Sequence, residues 1–374
     1  MGNSICIYVI YDVQGVINPY IGEVLRELGR FVGDIYVVCN FQQIHGGEDY
    51  IKRYVKKIIC RDNIGFDSGA YRDAICDYIG EKTLSNYDEL ILTNDTYFAP
   101  LYSFDNMFAV MSDASCDFWG ITRHPGGYSI DLGDFEEHIQ SYFLCFKEKV
   151  IRSKMFWNFW RGFKYAKNKA EAVMRFELGI NRCLINGKLT GMAYTDVINP
   201  SLNAAKGINP YMVYAYELVS KYRVPIVKKT NFYGKNPCLI NAIQTLDYIE
   251  ANCVYDTRLI KDYIKEYQRK GYIGPYFDFD KMECFVKDHD RIFIYGAGVW
   301  GHNVADYMNY RDWNYEGCLV TDTKKSDEIL FSETEIKDTD GIIIAQEYKY
   351  VCDSIREYIK GRVGEDQIFT PEYP

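Results

Sequence analysis

The sequence predicts an α/β fold, a mixed and largely parallel sheet flanked by helices, followed by a smaller α/β domain of related design. Three observations carry this expectation. Residues 5–11, 34–39 and 90–92 are short apolar runs without polar alternation, the character of strands buried on both faces. Between the first two, Ile21, Val24, Leu25 and Leu28 recur at helical spacing, so strand, helix and strand alternate as in a right-handed parallel crossover. Near the C-terminus, residues 291–295 run directly into a glycine-rich turn and a further helix–strand pattern.

The first strand, residues 5–11, is rich in β-branched and aromatic residues and closes on Asp12, at the end of the sheet where ligands sit. A turn-forming aspartate explains Asp12 equally well. Asn18 followed by Pro19 reads as a helix start, with proline at the first helical position. A third short strand at 58–60 leads into Arg61, Asn63, Gly65, Asp67, Gly69 and Arg72. Two glycines there allow close backbone approach, and Asp67 or Ser68 caps a helix carrying Tyr71, Ile75, Tyr78 and Ile79 on one face. A helix N-terminus beside Arg61 and Arg72 suits a diphosphate, although a plain strand-to-helix turn has the same pattern.

The chain is organised around residues 87–100. Leu90, Ile91 and Leu92 form the most buried strand expected, and the run breaks at Thr93, Asn94, Asp95 and Thr96 before Pro100. Asp95 therefore stands where a ligand binds in an open α/β sheet. Its carboxylate, with Asn94 beside it, suits a divalent cation such as Mg²⁺ or Mn²⁺ bridging phosphate oxygens. An Asx-turn is the alternative reading. Beyond it, Trp119 reads as core, residues 125–128 as a mobile loop, residues 142–146 as a buried strand and residues 155–160 as the packed face of a helix. His138 precedes that strand and suits acceptor hydroxyls or phosphate, or equally a backbone carbonyl, and Glu177 opens a helix that ends at Gly187, a place where the dipole alone favours a glutamate.

Composition bounds the function. Hydrophobic residues at 48% and charged residues at 25% are ordinary for a globular chain of 374 residues, enough for two domains. A net charge of −9 argues against nucleic acid as a partner. The twelve cysteines are scattered without CxxC pairs, which fits reduced thiols in a cytoplasmic protein. No run of 18 apolar residues is present, and the opening Met1–Cys6 lacks a basic leader region. Cys6 stands where a myristoylation signal wants Ser or Thr.

Four segments in order, NIGFDSGAY at 63–71, LTNDTYFAP at 92–100, DFWGIT at 117–122 and HIQSYFLCFKEKVIRSKMFWNFW at 138–160, resemble the rhamnan synthesis protein F family of bacterial polysaccharide glycosyltransferases. The likeness covers about residues 50–235. It implies a GT-A-like fold, a nucleotide-sugar donor such as dTDP-rhamnose or a UDP-sugar, and a lipid-linked or polysaccharide acceptor. Such an acceptor implies work at the inner face of the membrane, with peripheral contact. In GT-A enzymes the strand that ends in Asp-x-Asp delivers the metal; Asn94-Asp95 supplies one carboxylate in that place, so metal binding is expected to be loose. The resemblance also makes Glu177 the catalytic base of an inverting transfer, with His138 on the acceptor side. Donor-binding residues are then Asp12, Asn63, Gly65, Asp67, Arg72, Asn94 and Asp95.

The domains expected are 1–235 for transfer, 236–285 as a helical linker and 286–374 as a Rossmann-like accessory domain. Lys228 and Lys229 near the end of the first face an acceptor or an anionic surface. Gly296, Gly298 and Gly301 form GxGxxG after a strand, and Asp322 ends the next one, where a ribose-binding acid belongs. The domain is short for a dinucleotide fold, so a vacant or mononucleotide-type site is the reading favoured over NAD. Two other classes stay open: a non-catalytic sugar- or nucleotide-binding component, and an NAD-dependent oxidoreductase or epimerase.

Overall fold

The computed structural model describes residues 3–199, 209–232, 239–269, 277–322 and 328–373. The turn expected at 271–275 lies outside them. The described chain falls into two compact units. The first comprises Met1–Lys229 with Thr245–Ile260, and the second Thr230–Gln244 with Lys261–Pro374. Within residues 236–285 the described helices are Leu239–Asn252, Arg258–Arg269 and the greater part of Phe279–Lys287, and Thr245–Ile260 groups with the first unit.

The first unit is built on a seven-stranded mixed sheet. Its strands run in the order Gly191–Ala193, Phe118–Gly120, Phe143–Lys147, Glu89–Asn94, Ser4–Ile10, Asp34–Cys39 and Lys57–Cys60. The last four are mutually parallel, whereas Phe143–Lys147 runs antiparallel to both its neighbours. Alternate residues serve opposite faces, as the pleat requires. Ile5, Ile7, Val9, Leu90, Leu92, Leu144 and Phe146 pack with Tyr71, Ile75, Phe156, Trp160, Ile180 and Leu184 of the covering helices. Trp119 is buried as expected and contacts Phe108 and Phe143.

Local signals explain the element ends. Pro19–Leu28 begins with proline at its first turn, and Lys154–Arg161 is capped by Ser153, whose side chain accepts from the Phe156 amide at 3.2 Å. Residues 127–135 form a small hairpin, Gly127–Ser129 with Gly133–Phe135, where the sequence suggested a loop. Two helical segments are wound as π-helix, Ala74–Ile79 after Phe66–Asp73 and Val173–Leu178 before Gly179–Asn186.

The second unit is a five-stranded, wholly parallel sheet. Its order is Glu328–Leu330, Gly317–Val320, Arg291–Tyr295, Asp340–Ile344 and Ile368–Phe369, or 3-2-1-4-5 in chain order, the doubly wound arrangement. Arg291 holds the fully buried Asp340 with two bonds, 2.9 and 2.6 Å, an end-on clamp between adjacent strands.

The glycine fingerprint of this unit is used unequally. A Cβ on Gly301 would lie 1.8 Å from the Gly296 carbonyl oxygen, a backbone atom, whereas one on Gly298 would meet nothing within 4 Å. Gly301 is therefore a packing glycine of the Val299–Tyr310 helix. Gly301→Ala is expected to destabilise this unit by about 1–3 kcal/mol through overpacking, and Gly298→Ala to leave stability within about 0.5 kcal/mol. Denaturant unfolding of the full chain, followed by tryptophan fluorescence, checks the contrast.

Candidate functional site

The site is built where the Glu89–Asn94 strand leaves the sheet. Asn94 and Asp95 emerge at the carboxyl ends of the parallel strands, and the Asp95 amide donates to the Val9 carbonyl at 3.1 Å, tying the loop to the neighbouring strand. Asn94 then works in two directions. Its Nδ2 donates to Oδ2 of Asp67 at 2.7 Å, and its Oδ1 accepts from the hydroxyl and amide of Thr96 at 2.7 and 3.2 Å. The Asx-turn is thus made by Asn94 with Thr96, not by Asp95.

Two lysines reach this loop from residues 227–229. Val227–Lys228 pairs antiparallel with Tyr97–Phe98, and the Lys229 amide donates to the Thr96 carbonyl at 3.0 Å. The Lys228 ammonium donates to Oγ1 of Thr96 at 2.6 Å and lies 4.2 Å from the centroid of the Tyr142 ring. Lys229 is 4% exposed, places its ammonium 3.5 Å from Oδ2 of Asp95 and lies 4.7 Å from the Tyr20 ring centroid. Tyr20 in turn directs its hydroxyl to the Asp95 carbonyl at 3.3 Å.

Burial sets the electrostatics. Removal from water, then the Asp95 carboxylate, pushes the Asp67 carboxyl up to about 6. Burial pulls the Lys228 ammonium down to about 7 against the opposing pull of Glu177 and Asp67, and it lowers Lys229 against Asp95, Asp12 and Asp67. Asp67 thus acts on both lysines, Asp95 and Asp12 on Lys229, and Glu177 on Lys228.

Glu177 and His138 come together across 39 residues. Nε2 of His138 lies 3.1 Å from Oε1 of Glu177, and Nδ1 lies 2.9 Å from the Glu136 carbonyl. The Ser141 amide and hydroxyl donate to Oε2 of Glu177 at 2.7 and 2.6 Å. Asn181 secures the assembly by bonding both the amide and the carbonyl of Ile139. Burial opposes ionisation of Glu177, yet His138 and Ser141 outweigh it and hold its carboxyl at about 2. Burial likewise opposes the imidazolium of His138, but Glu177 raises it above the ordinary histidine value. His124 stacks on His138 at 5.3 Å and is pulled down to about 4, by burial and then by its neighbour's charge.

Several expected donor residues have other tasks. Asp12 accepts from the amides of Gln14 and Val16 at 2.8 and 3.1 Å, a turn carboxylate whose charge still reaches Lys229. Arg72 turns to Asp73 and Asp77, and Arg61 bonds Asp73 at 2.9 Å and Asn40 at 2.5 Å, so both arginines are engaged by the fold, not by an open phosphate pocket. Gly65 has φ +79°, and a Cβ there would meet the Tyr165 ring at 2.9 Å; its close approach is to protein. Asn63 is exposed on the loop before it. In the other unit Gly296, Gly298 and Gly301 form the strand-to-helix turn, and Asp322 is exposed just beyond Gly317–Val320.

The residues that sequence reasoning underused are Tyr20, Ser141, Asn181 and Thr96, all common polar types without a motif. Among the described residues, no three His, Cys, Asp or Glu side chains stand together as a metal site. The Asp95 oxygen expected to carry a cation faces an ammonium, and the Asp67 oxygen faces an amide donor. This donor set does not fit a resident divalent ion, which needs several free oxygens. Among the described residues, no helix is long and apolar enough to cross a membrane.

Comparison with known proteins places the chain. It is 24% identical over 212 residues to the uncharacterised protein y4gN of Sinorhizobium fredii, a match covering 55% of this chain; the chain spans about half of that relative, 51%. Among solved structures it is similar to a protein of Desulfovibrio desulfuricans described as a nucleotide-diphospho-sugar transferase, with TM-score 0.33 and 11% identity over 70% of this chain and 99% of the other. It is also similar to residues 1–349 of S. aureus TarS, with TM-score 0.31 and 11% identity over 74% and 94% of the two chains. Overlaps of that size carry no functional argument. The sequence family does: residues 35–295, well over half of the chain, match the model for rhamnan synthesis protein F, and the chain belongs to that family.

Proposed function

We propose that the first unit transfers a sugar, with inversion, from a nucleotide-activated donor to a hydroxyl of a polysaccharide or lipid-linked glycan, in the manner of a GT-A-like enzyme. The observation that supports this best is the grouping at one end of the sheet. Asn94, Asp95, Asp67, Lys228 and Lys229 make a charged donor side, and Glu177 with His138 forms a second group whose charge reaches Lys228. Rhamnose carried on dTDP is the donor that the family name suggests, with a UDP-sugar as the alternative.

The chemistry needs a group that takes a proton from the acceptor hydroxyl as its oxygen bonds to the anomeric carbon and the bond to the diphosphate breaks. A carboxylate held at about 2 is a weak base by itself. The His138–Glu177 pair is stronger as a unit. Nδ1 of His138 faces a carbonyl oxygen and Nε2 faces a carboxylate, so both nitrogens favour carrying hydrogen. When the pair loses the Nε2 proton, it is ready to accept one at Glu177 and to pass it to the ring, ending as imidazolium and carboxylate. Glu177 has a side chain 17% exposed and meets the acceptor, while His138 stays buried behind it.

A non-catalytic sugar-binding component is the second reading, favoured by the internal partners of Asn94 and Asp95. Incubation with a panel of nucleotide sugars and a glycan extract decides between them. Release of nucleotide that depends on the acceptor is the expected result, and tight donor binding without any release overturns transfer.

Two variants test the assignments. Glu177→Gln should reduce transfer by at least about a hundredfold with donor affinity near normal. In the wild type kcat/KM should rise with pH through a midpoint above 6.5, the ordinary histidine value, because the pair is a base only after His138 loses its proton. A Glu177→Gln enzyme of near wild-type rate, or one that keeps this pH limb, would place the base elsewhere. Asp95→Ala should abolish turnover and weaken donor binding, as read by calorimetry.

Folding stability gives an independent check on the same carboxylate. Its pKa is lowered on folding, so its contribution is complete above about 4.5 and is lost as pH falls towards about 2. The stability gap between wild type and Glu177→Gln, measured by urea unfolding, should close across that window.

A further inference from the structure

We propose that Lys228 and Lys229 stand in for a divalent cation, as a paired-ammonium site that neutralises the diphosphate of the nucleotide-activated donor. This inference rests on the transfer reading above and specifies how its donor is held. Three observations converge on it.

The lysines are placed by backbone, not by chance of side-chain reach. The Val227–Lys228 ladder with Tyr97–Phe98 and the Lys229 amide bond to Thr96 fix both residues against the loop that follows the central strand. Both ammonium groups lie over aromatic rings, Tyr142 and Tyr20, which hold each of them at the loop rather than in bulk water.

The charge of Lys228 is left incompletely matched, beside a Lys229 whose ammonium lies 3.5 Å from Oδ2 of Asp95. Among the described residues Lys228 forms no ion pair within 4.0 Å; its hydrogen-bond partner is the neutral hydroxyl of Thr96 at 2.6 Å. An ammonium has three donors, and a half-buried one without a counter-ion is costly. An arriving diphosphate supplies both the missing charge and the missing acceptors. Burial weakens the proton affinity of Lys228 in the free protein, and an anion beside it reverses that effect.

The alternative occupant is poorly served. A divalent ion beside Asp95 would sit against the Lys229 ammonium, and the nearby Asp67 oxygen already accepts from Asn94. Ammonium groups in that position do the electrostatic work that a cation would do on a departing diphosphate.

The test uses the full chain and calorimetry with UDP, GDP and dTDP, each compared with its own nucleoside, in excess EDTA and again with Mg²⁺ or Mn²⁺. At least one nucleoside diphosphate is expected to bind in EDTA, with affinity changed less than about twofold by metal. Lys228→Gln is expected to weaken that diphosphate by at least about tenfold while its nucleoside is unaffected. Lys229→Gln leaves Asp95 without its ammonium and risks misfolding, so Lys229→Arg is paired with it, and the arginine variant should retain binding. Binding that is lost in EDTA, restored by metal and indifferent to Lys228→Gln overturns the lysine site but leaves the transfer reading standing. Failure of all three diphosphates to bind wild type under either condition overturns the transfer reading itself.

Discussion

A strand with both edges paired has nowhere to send its polar groups except its ends. Glu89–Asn94 is such a strand, parallel to Ser4–Ile10 on one side and antiparallel to Phe143–Lys147 on the other. The antiparallel neighbour matters most. It enters the sheet where Glu89–Asn94 leaves, with Phe143 opposite Thr93, so the residues that precede it arrive at the same end as Asn94 and Asp95. His138 and Ser141 are brought there by that single reversal, and Glu177 follows them through its hydrogen bonds. A parallel strand in this place would have delivered them to the opposite end of the sheet.

What assembles at that end is a nearly dry set of opposed charges. Asp67, Asp95 and Glu177 face two lysines over a floor of Thr93, Tyr97 and Tyr142, whose hydroxyl and carbonyl groups bond one another. Low local dielectric strengthens each pairing and penalises each mismatch. Glu177 is held by His138 and Ser141 and strongly ionised, whereas burial and then Asp95 raise Asp67 to about 6. The site thus has a fixed anionic wall and a tunable one.

The sequence made the framework legible because its signals are local. Apolar runs at 5–11 and 90–92, the Asn18-Pro19 helix start and the GxGxxG turn each express a backbone preference within a few residues, and each appears in the structure. The site was legible only in part. Asn94, Asp95 and His138 lie at element ends, where position itself is informative; Glu177, expected to open a helix, lies instead inside the helical run from Lys169 to Asn186, because the winding starts eight residues before it at the Asn168 cap. The partners of these residues are set by long-range pairing: Lys229 finds Asp95 across 134 residues and Asn94 finds Asp67 across 27. No periodicity encodes such distances. Arg61 and Arg72 misled for the converse reason, since a cation beside a helix start looks available until the fold supplies Asp73.

The π-helical turn at Val173–Leu178 governs how the residues before Glu177 face relative to those after it. A π-turn holds one residue more than the α-helical turn it replaces. Upstream of such a turn every side chain is rotated by roughly 100° relative to a regular helix. Glu177 lies inside the widened turn and Asn181 beyond it, yet both bond the His138–Ser141 segment. Being four residues apart, the two share one helix face, so removal of one residue from the turn before Glu177 would keep both holds together and rotate the residues upstream of them instead.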